Sequence, residues 1–203
     1  MRKKDTKTKD IFTKTVANFL FEVGILARTP RSGFHLLGSG DQSVAEHTNR
    51  VTFIAYALAM MDGVVDVAKV MKMALLHDIS ETRISDLNYV NQKYVERREE
   101  SAHKDITDSV PFGKDMLETI LEYEERKTAE SLLVKDADNL EWILALKEEA
   151  DRGNTRALVW AKIAVKRLKT QYAQMIAEEI MATDSNDWWF DKDSKWWVDR
   201  SKK

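Results

Sequence analysis

Ser43-Val-Ala-Glu-His-Thr-Asn-Arg-Val-Thr-Phe-Ile-Ala-Tyr-Ala-Leu-Ala-Met-Met-Asp-Gly63 decides the fold. Ser43 and Glu46 stand at capping-box spacing: the hydroxyl accepts from the Glu46 amide while the Glu46 carboxylate accepts from the Ser43 amide. Val44, His47, Val51, Ile54, Leu58 and Met61 follow at steps of three and four, the period of one helix face. Gly63 stands where a left-handed C-cap belongs. Start, face and stop agree on a helix, and a polar residue, His47, lies inside its apolar stripe.

The same signals recur on both sides. A helix opening at Asp66 carries Val67, Val70, Ala74, His77, Glu81 and Ile84 on one face. Another runs from about Thr128 to Arg152, stops at Gly153-Asn154, and has the stripe Val134, Asp138, Trp142 and Ala145. Upstream, Ile11, Phe12, Val16, Phe19, Leu20 and Val23 predict a helix over about 10–28. Pro30, Gly33, Gly38 and Gly40 make 29–42 a loop, long for a structureless connector and of the length binding loops have. Residues 91–127 read as one or two charged helices with Pro111 near a start position, and a long amphipathic helix follows Asn154 to about Met181. With seven Gly and two Pro in 203 residues and 43% hydrophobic residues, the chain reads as all-α, about seven or more helices around a single core. The expected organisation is a disordered charged segment at 1–9, one helical domain at 10–183, and a Trp-rich C-terminal extension at 184–203 packed on the domain or on a partner subunit.

Net charge is −2 with both signs mixed, which gives no basic groove for nucleic acid and no basic face for a membrane. Cysteine is absent, which removes disulfides, thiolate metal sites and cysteine nucleophiles. Lys14 and Asn18 interrupt the first apolar run, unlike a signal peptide, and no stretch has the length of a membrane span. The expected location is the cytoplasm.

His47, His77 and Asp138 are polar positions in apolar stripes, costly unless satisfied. A backbone carbonyl can satisfy either histidine alone. Asp78, however, follows His77 directly, and Glu81 lies one helical turn beyond it. A buried carboxylate must be paired, protonated or bound to metal. Two imidazoles and two carboxylates form an N/O set suited to Mn, Fe, Co, Ni, Zn or Mg. A metal-free His–Asp hydrogen-bond network would satisfy the same residues.

In order and context these residues resemble the H…HD…D signature of HD-domain phosphohydrolases. Ser-Val-Ala-Glu-His at 43–47 with Arg50 a turn later, Ala-Leu-Leu-His-Asp-Ile-Ser-Glu-Thr at 74–82 with Asp86 following, and Val-Lys-Asp-Ala-Asp-Asn-Leu-Glu at 134–141 resemble the three metal motifs of the subgroup containing bacterial 5′-deoxynucleotidases. The resemblance implies an all-α HD-domain bundle and one divalent ion held by His47, His77, Asp78 and Asp138. It also implies a homodimer, and hydrolysis of nucleoside 5′-monophosphates with a preference for deoxyribose. Glu81 is the candidate to orient or deprotonate water, and Asp86 to assist proton transfer or bind the sugar. Arg31 is the candidate phosphate clamp, since a guanidinium presents planar, bidentate donors.

Departures fall on the substrate side. Arg31 is followed after two residues by Phe34, where the family often has Arg then Trp, so Phe34 either packs on a base or sugar or pins the loop to the core. Ser85 replaces a Gly often found before the Asp. Arg50 and Lys93 are further phosphate candidates, and Glu141 either supports the ligands or faces solvent. His35 lies within the binding-loop region, His103 reads as exposed, and Met60, Met61, Met71 and Met73 read as core filling. Alternative activities are a phosphodiesterase, a nucleotide triphosphohydrolase or a non-catalytic nucleotide-binding HD protein. No cluster of Arg and Lys around the motifs favours a triphosphate.

Overall fold

The computed structural model describes residues 2–196, with side chains from residue 11 onward. Its helices are α1 (Arg2–Val23, continued by a 3-10 turn at Gly24–Arg28), α2 (Gly33–Leu37), α3 (Val44–Asp62), α4 (Val67–Leu76), α5 (Glu81–Ile84), α6 (Glu99–Asp108), α7 (Gly113–Glu125), α8 (Ala129–Asp151), α9 (Thr155–Ala164) and α10 (Gln171–Ala182). The fold is all-α as expected. The one extended pairing among the described residues is the isolated bridge between Pro30 and Ser43.

Helix α3 has the reciprocal Ser43–Glu46 capping box and ends on Gly63 at φ 72°, the left-handed conformation that glycine adopts without a Cβ penalty. Helix α8 opens with Thr128 and Ser131 in the same reciprocal arrangement. It is the axle of the molecule, packed against α3, α4, α7, α9 and α10. Leu133, Val134, Ala137, Leu140, Ile143 and Leu146 of α8 share one core with Val51, Ala55 and Leu58 of α3 and Val70, Met73 and Ala74 of α4. A second core of Leu26, Val44, Ile79, Ile106, Val110, Met116 and Ile120 lies beneath α6 and α7. The turn between those helices brings Gly113 so close to Thr107 that a Cβ would stand 1.7 Å from its carbonyl oxygen.

The helix expected over 66–84 is broken. Helix α4 ends at Leu76, and the Ile79, Glu81 and Thr82 amides bond three residues back, to Leu76, Asp78 and Ile79, a tighter winding than an α-helix. The segment after Asn154 is likewise two helices. Asp136, 1% exposed on α8, accepts the Lys169 and Thr170 amides and the Thr170 hydroxyl, fixing the chain in a turn where α10 begins. Helix α1 starts at Arg2, ahead of the expected Asp10, through a segment without Gly or Pro. Its face is only partly covered: Phe19 packs edge-on against Phe112 at 5.8 Å, whereas Ile11, Phe12, Leu20 and Phe21 are exposed.

Two smaller expectations are corrected. His103 is buried, because α7 covers the α6 face that also holds Ala102, Ile106 and Thr107. Met60 and Met61 are exposed rather than core residues, near the free end of α3. In the C-terminal extension Trp188 is exposed, and Trp197 onward lies outside the described residues.

Candidate metal centre

Three helical segments aim side chains at one point under a cleft. The imidazoles set the geometry. His77 Nδ1 donates to the Ala74 carbonyl at 2.7 Å, and His47 Nδ1 donates to Glu141 Oε2 at 2.6 Å. With Nδ1 so committed, an imidazole that is neutral, as a metal ligand must be, carries its lone pair on Nε2. The two Nε2 atoms then face each other at 3.3 Å. Asp78 Oδ2 lies 3.2 Å from His77 Nε2 and 3.5 Å from His47 Nε2, and Asp138 Oδ1 lies 3.2 Å from His47 Nε2. The tightest group is His47, His77 and Asp78, with ligand atoms all within 4.8 Å of one another. Asp138 flanks it, its other oxygen bonded to Lys135 Nζ at 2.7 Å. With both imidazoles neutral, these four groups form an N/O acceptor set that could hold a divalent cation.

Charge is stacked around this point. With no ion bound, burial would raise the Asp78 carboxyl, but His77 and His47 in their protonated form, together with Arg31, outweigh it and hold the group below the usual carboxylate range. Burial opposes ionisation of Asp138 too, and Lys135 and His47 overcome it. Glu141 is fully buried, and His47 and Arg50 hold it at about 2 against that burial. Glu81 moves the other way: burial, then Asp78 and Asp86, push it up to about 9. Its Oε2 has no hydrogen-bond partner among the described residues.

Arg31 reaches this group from the loop before α3. The loop is tied down by Arg31 N to Gln42 O at 2.8 Å and Val44 N to Thr29 O at 2.9 Å. The Arg31 guanidinium lies 3.4 Å from Asp78 and 3.7 Å from Asp86; burial works against its charge, and those carboxylates more than restore it. Asp86 also accepts the Ser32 amide at 2.8 Å. The backbone just ahead of it is strained: Ser85 has φ 62° and ψ 162°, a region populated essentially by glycine alone. Ser85→Gly is therefore expected to raise the stability of the metal-free protein by about 1 kcal/mol, or about 2–4 °C in thermal midpoint. An unchanged or lower midpoint in calorimetry would mean that no strain is stored there.

The cleft above the group has a volume of about 610 Å³. Arg31, Asp78, Glu81, Asp86 and Asp138 line it, with His47 and His77 buried beneath. Other sequence candidates lie elsewhere. Phe34 is buried with its ring edge-on to Trp142 at 5.2 Å; of its two expected roles the packing fits pinning the loop, and it is Trp142 that lines the cleft. Gly33 crosses Trp142 so closely that a Cβ would meet the ring at 3.0 Å. Arg50 is engaged by Glu141 and Glu148 at 2.7 and 2.6 Å. His35 and Lys93 are exposed and outside the cleft lining. Conversely, folding brings Arg97, Arg126, Lys135, Arg167 and Lys169 to the cleft. They come from separate elements, so no local cluster announces them; the run Lys166-Arg167-Leu168-Lys169 was the one available signal.

Comparison with known proteins gives the family. A family model described as HD domain matches residues 23–181. The 5′-deoxynucleotidase HDDC2 of Homo sapiens is 31% identical over 144 residues, covering 68% of this chain and 70% of that protein. Its Bos taurus counterpart is 32% identical, covering 70% and 71%. Among solved structures, a conserved hypothetical protein from Pyrococcus furiosus aligns with a TM-score of 0.71 at 32% identity, covering 82% of this chain and 99% of that one. By matched length and by identity, the chain belongs to the HD-domain family.

Proposed function

We propose that this protein is a metal-dependent phosphomonoester hydrolase acting on nucleoside 5′-monophosphates, with deoxyribose preferred, and that His47, His77, Asp78 and Asp138 hold its one divalent ion. The observation that carries the reading is the pair of Nε2 lone pairs facing each other at 3.3 Å while both Nδ1–H groups are committed outward. The nucleotide substrate follows from relatives named as 5′-deoxynucleotidases at about this identity over two thirds of the chain.

When bound, such an ion acidifies water, from a pKa of 15.7 to about 7, and neutralises phosphoryl charge. The chain's own residues do the rest. Arg31, half-buried and balanced by two carboxylates, turns its remaining N–H groups to a phosphate oxygen. Burial, Asp78 and Asp86 push Glu81 up to about 9 in the metal-free site, so it holds its proton there at neutral pH; a bound cation would offset the Asp78 charge and favour the carboxylate form that orients or deprotonates water. Asp86 holds Arg31 and the Ser32 amide in register, a positioning role beside the proton-transfer or sugar-binding role expected for it. Trp142 offers a flat apolar wall to sugar or base. We infer a cytoplasmic homodimer by the same family reasoning; Leu20 and Phe21 on α1 are exposed apolar surface that such a dimer would cover. No helix among the described residues is long and apolar enough to cross a membrane.

The test is phosphate release from a panel of ribo- and deoxyribonucleoside 5′-monophosphates. The protein is stripped of metal and reloaded in turn with Mn, Fe, Co, Ni, Zn or Mg. Release that requires a divalent ion and is faster with deoxyribose is the expected result. No release with any ion, or pyrophosphate or tripolyphosphate as the product from longer nucleotides alone, would overturn the reading.

A further inference from the structure

The cleft lining carries both signs: Asp78, Glu81, Asp86, Asp136 and Asp138 stand among Arg31, Arg97, Arg126, Lys135, Arg167 and Lys169. Lys135 is neutralised by Asp138. Arg126 has only Glu124, at 4.0 Å, and neither Arg167 nor Lys169 has a carboxylate ion-pair partner among the described residues. Arg126, Arg167 and Lys169 are therefore the cleft cations with charge left to offer an anion.

Each of the three is held in place. Arg126 occupies the C-cap of α7 at φ 53°, a left-handed conformation that favours glycine or asparagine and costs a side chain about 1 kcal/mol. Its guanidinium lies over the Tyr123 ring, 3.2 Å from the centroid. Arg167 stacks over Tyr89, itself a cleft residue, at 5.5 Å. Lys169 sits on the turn whose amides are gripped by the buried Asp136 carboxylate. A merely solvated basic surface needs neither a strained backbone nor a buried carboxylate to fix it.

We infer that the preferred substrate carries a second phosphate beyond the one hydrolysed, and that Arg126, Arg167 and Lys169 bind it. The inference rests on the nucleotide phosphohydrolase reading and names the substrate class more closely. Two sources supply that chemistry: a 3′-phosphate, as in a deoxynucleoside 3′,5′-bisphosphate, or the extended tail of a 5′-triphosphate. The cleft volume of about 610 Å³ is within the range of sites that enclose whole ligands.

The experiment compares kcat/KM for a deoxynucleoside 5′-monophosphate, its 3′,5′-bisphosphate and its 5′-triphosphate, with the metal-loaded enzyme and with Arg167→Ala/Lys169→Ala. Chromatography of the products identifies which phosphate leaves. In the unaltered enzyme one of the doubly charged substrates is expected to exceed the monophosphate by at least about tenfold, and the double variant to bring that ratio near one. Arg126→Gly is expected to lower the same ratio while raising the thermal midpoint. The arm that shows the preference names the source. Equal rates with all three substrates, or a ratio untouched by the variants, would overturn the second-phosphate site and leave the monophosphatase reading standing. Calorimetric titration of the same nucleotides in chelator, where turnover is absent, covers the opposite failure. Tighter binding of a doubly charged nucleotide that is lost in the double variant, in a protein that hydrolyses none of the three, would retain the second-phosphate site and sink the hydrolase reading. Binding indifferent to the second phosphate would sink the site.

Discussion

Asp78→Ala is expected to lower kcat/KM for a nucleoside 5′-monophosphate by about a thousandfold and to leave the purified protein depleted of divalent metal, while the protein still folds. Asp78 Oδ2 is the atom shared by both imidazoles, 3.2 Å from one Nε2 and 3.5 Å from the other. Without it the remaining donors are two neutral nitrogens and Asp138, whose second oxygen is held by Lys135. The fold is expected to survive because Asp78 is a half-buried residue lining the cleft and belongs to neither core. Its carboxylate helps push Glu81 up to about 9, and its removal is expected to bring Glu81 back toward the usual carboxylate range. Arg31 keeps a partner in Asp86 at 3.7 Å. Elemental analysis, phosphate release and thermal unfolding of one preparation decide the matter. A metal-depleted variant with undiminished release would remove the metal from the mechanism, and a variant that is simply unfolded would show Asp78 to be a structural residue.

What could be read from the sequence, and what could not, divides along the range of the interactions. Helices α3 and α8 were legible because their starts are written within four residues, Ser43 with Glu46 and Thr128 with its own first turn. His47, His77 and Asp138 stood out because each is polar where a three-and-four period demands apolar, and Asp78 because it directly follows His77; the structure brings the four together. The break after Leu76 was hidden because Glu81 and Ile84 continue the apparent period across it, although the chain there winds in a tighter turn. The division between α9 and α10 was hidden for a different reason. Its cause is Asp136, thirty-three residues away from Lys169, and no local signal reports a distant carboxylate. The burial of His103 was legible in principle: Ala102, His103, Ile106 and Val110 keep helical spacing, but the charged residues between them, Lys104, Asp105 and Asp108, mask it. The cations of the cleft needed the tertiary fold, since α7, α8 and the turn before α10 each contribute some of them.

Glu141 is the residue whose importance the sequence left most open, and its replacement carries the second large expected effect. It has no exposed surface, and its two oxygens are fully used: Oε2 by His47 Nδ1 at 2.6 Å, Oε1 by Gln42 at 2.6 Å and by Arg50 at 2.7 Å. The carboxylate is what makes Nδ1 of His47 the protonated nitrogen and leaves Nε2 free to face the metal position. Glu141→Gln keeps the volume but offers an amide that can donate as well as accept, so the imidazole loses its bias toward the useful tautomer. Metal affinity is expected to fall by about 10–100-fold, and activity at saturating metal to recover most of the way, since the ligands themselves remain. Glu141→Ala should do more. It leaves Arg50 paired only with Glu148 and opens a buried gap, with a stability loss of about 3 kcal/mol added to the loss of affinity. Metal titrations of both variants against phosphate release, with denaturant unfolding alongside, separate the two effects. Recovery of Glu141→Gln by added metal marks a positioning residue, whereas a fall in turnover that no metal concentration restores would place Glu141 in the chemical step itself.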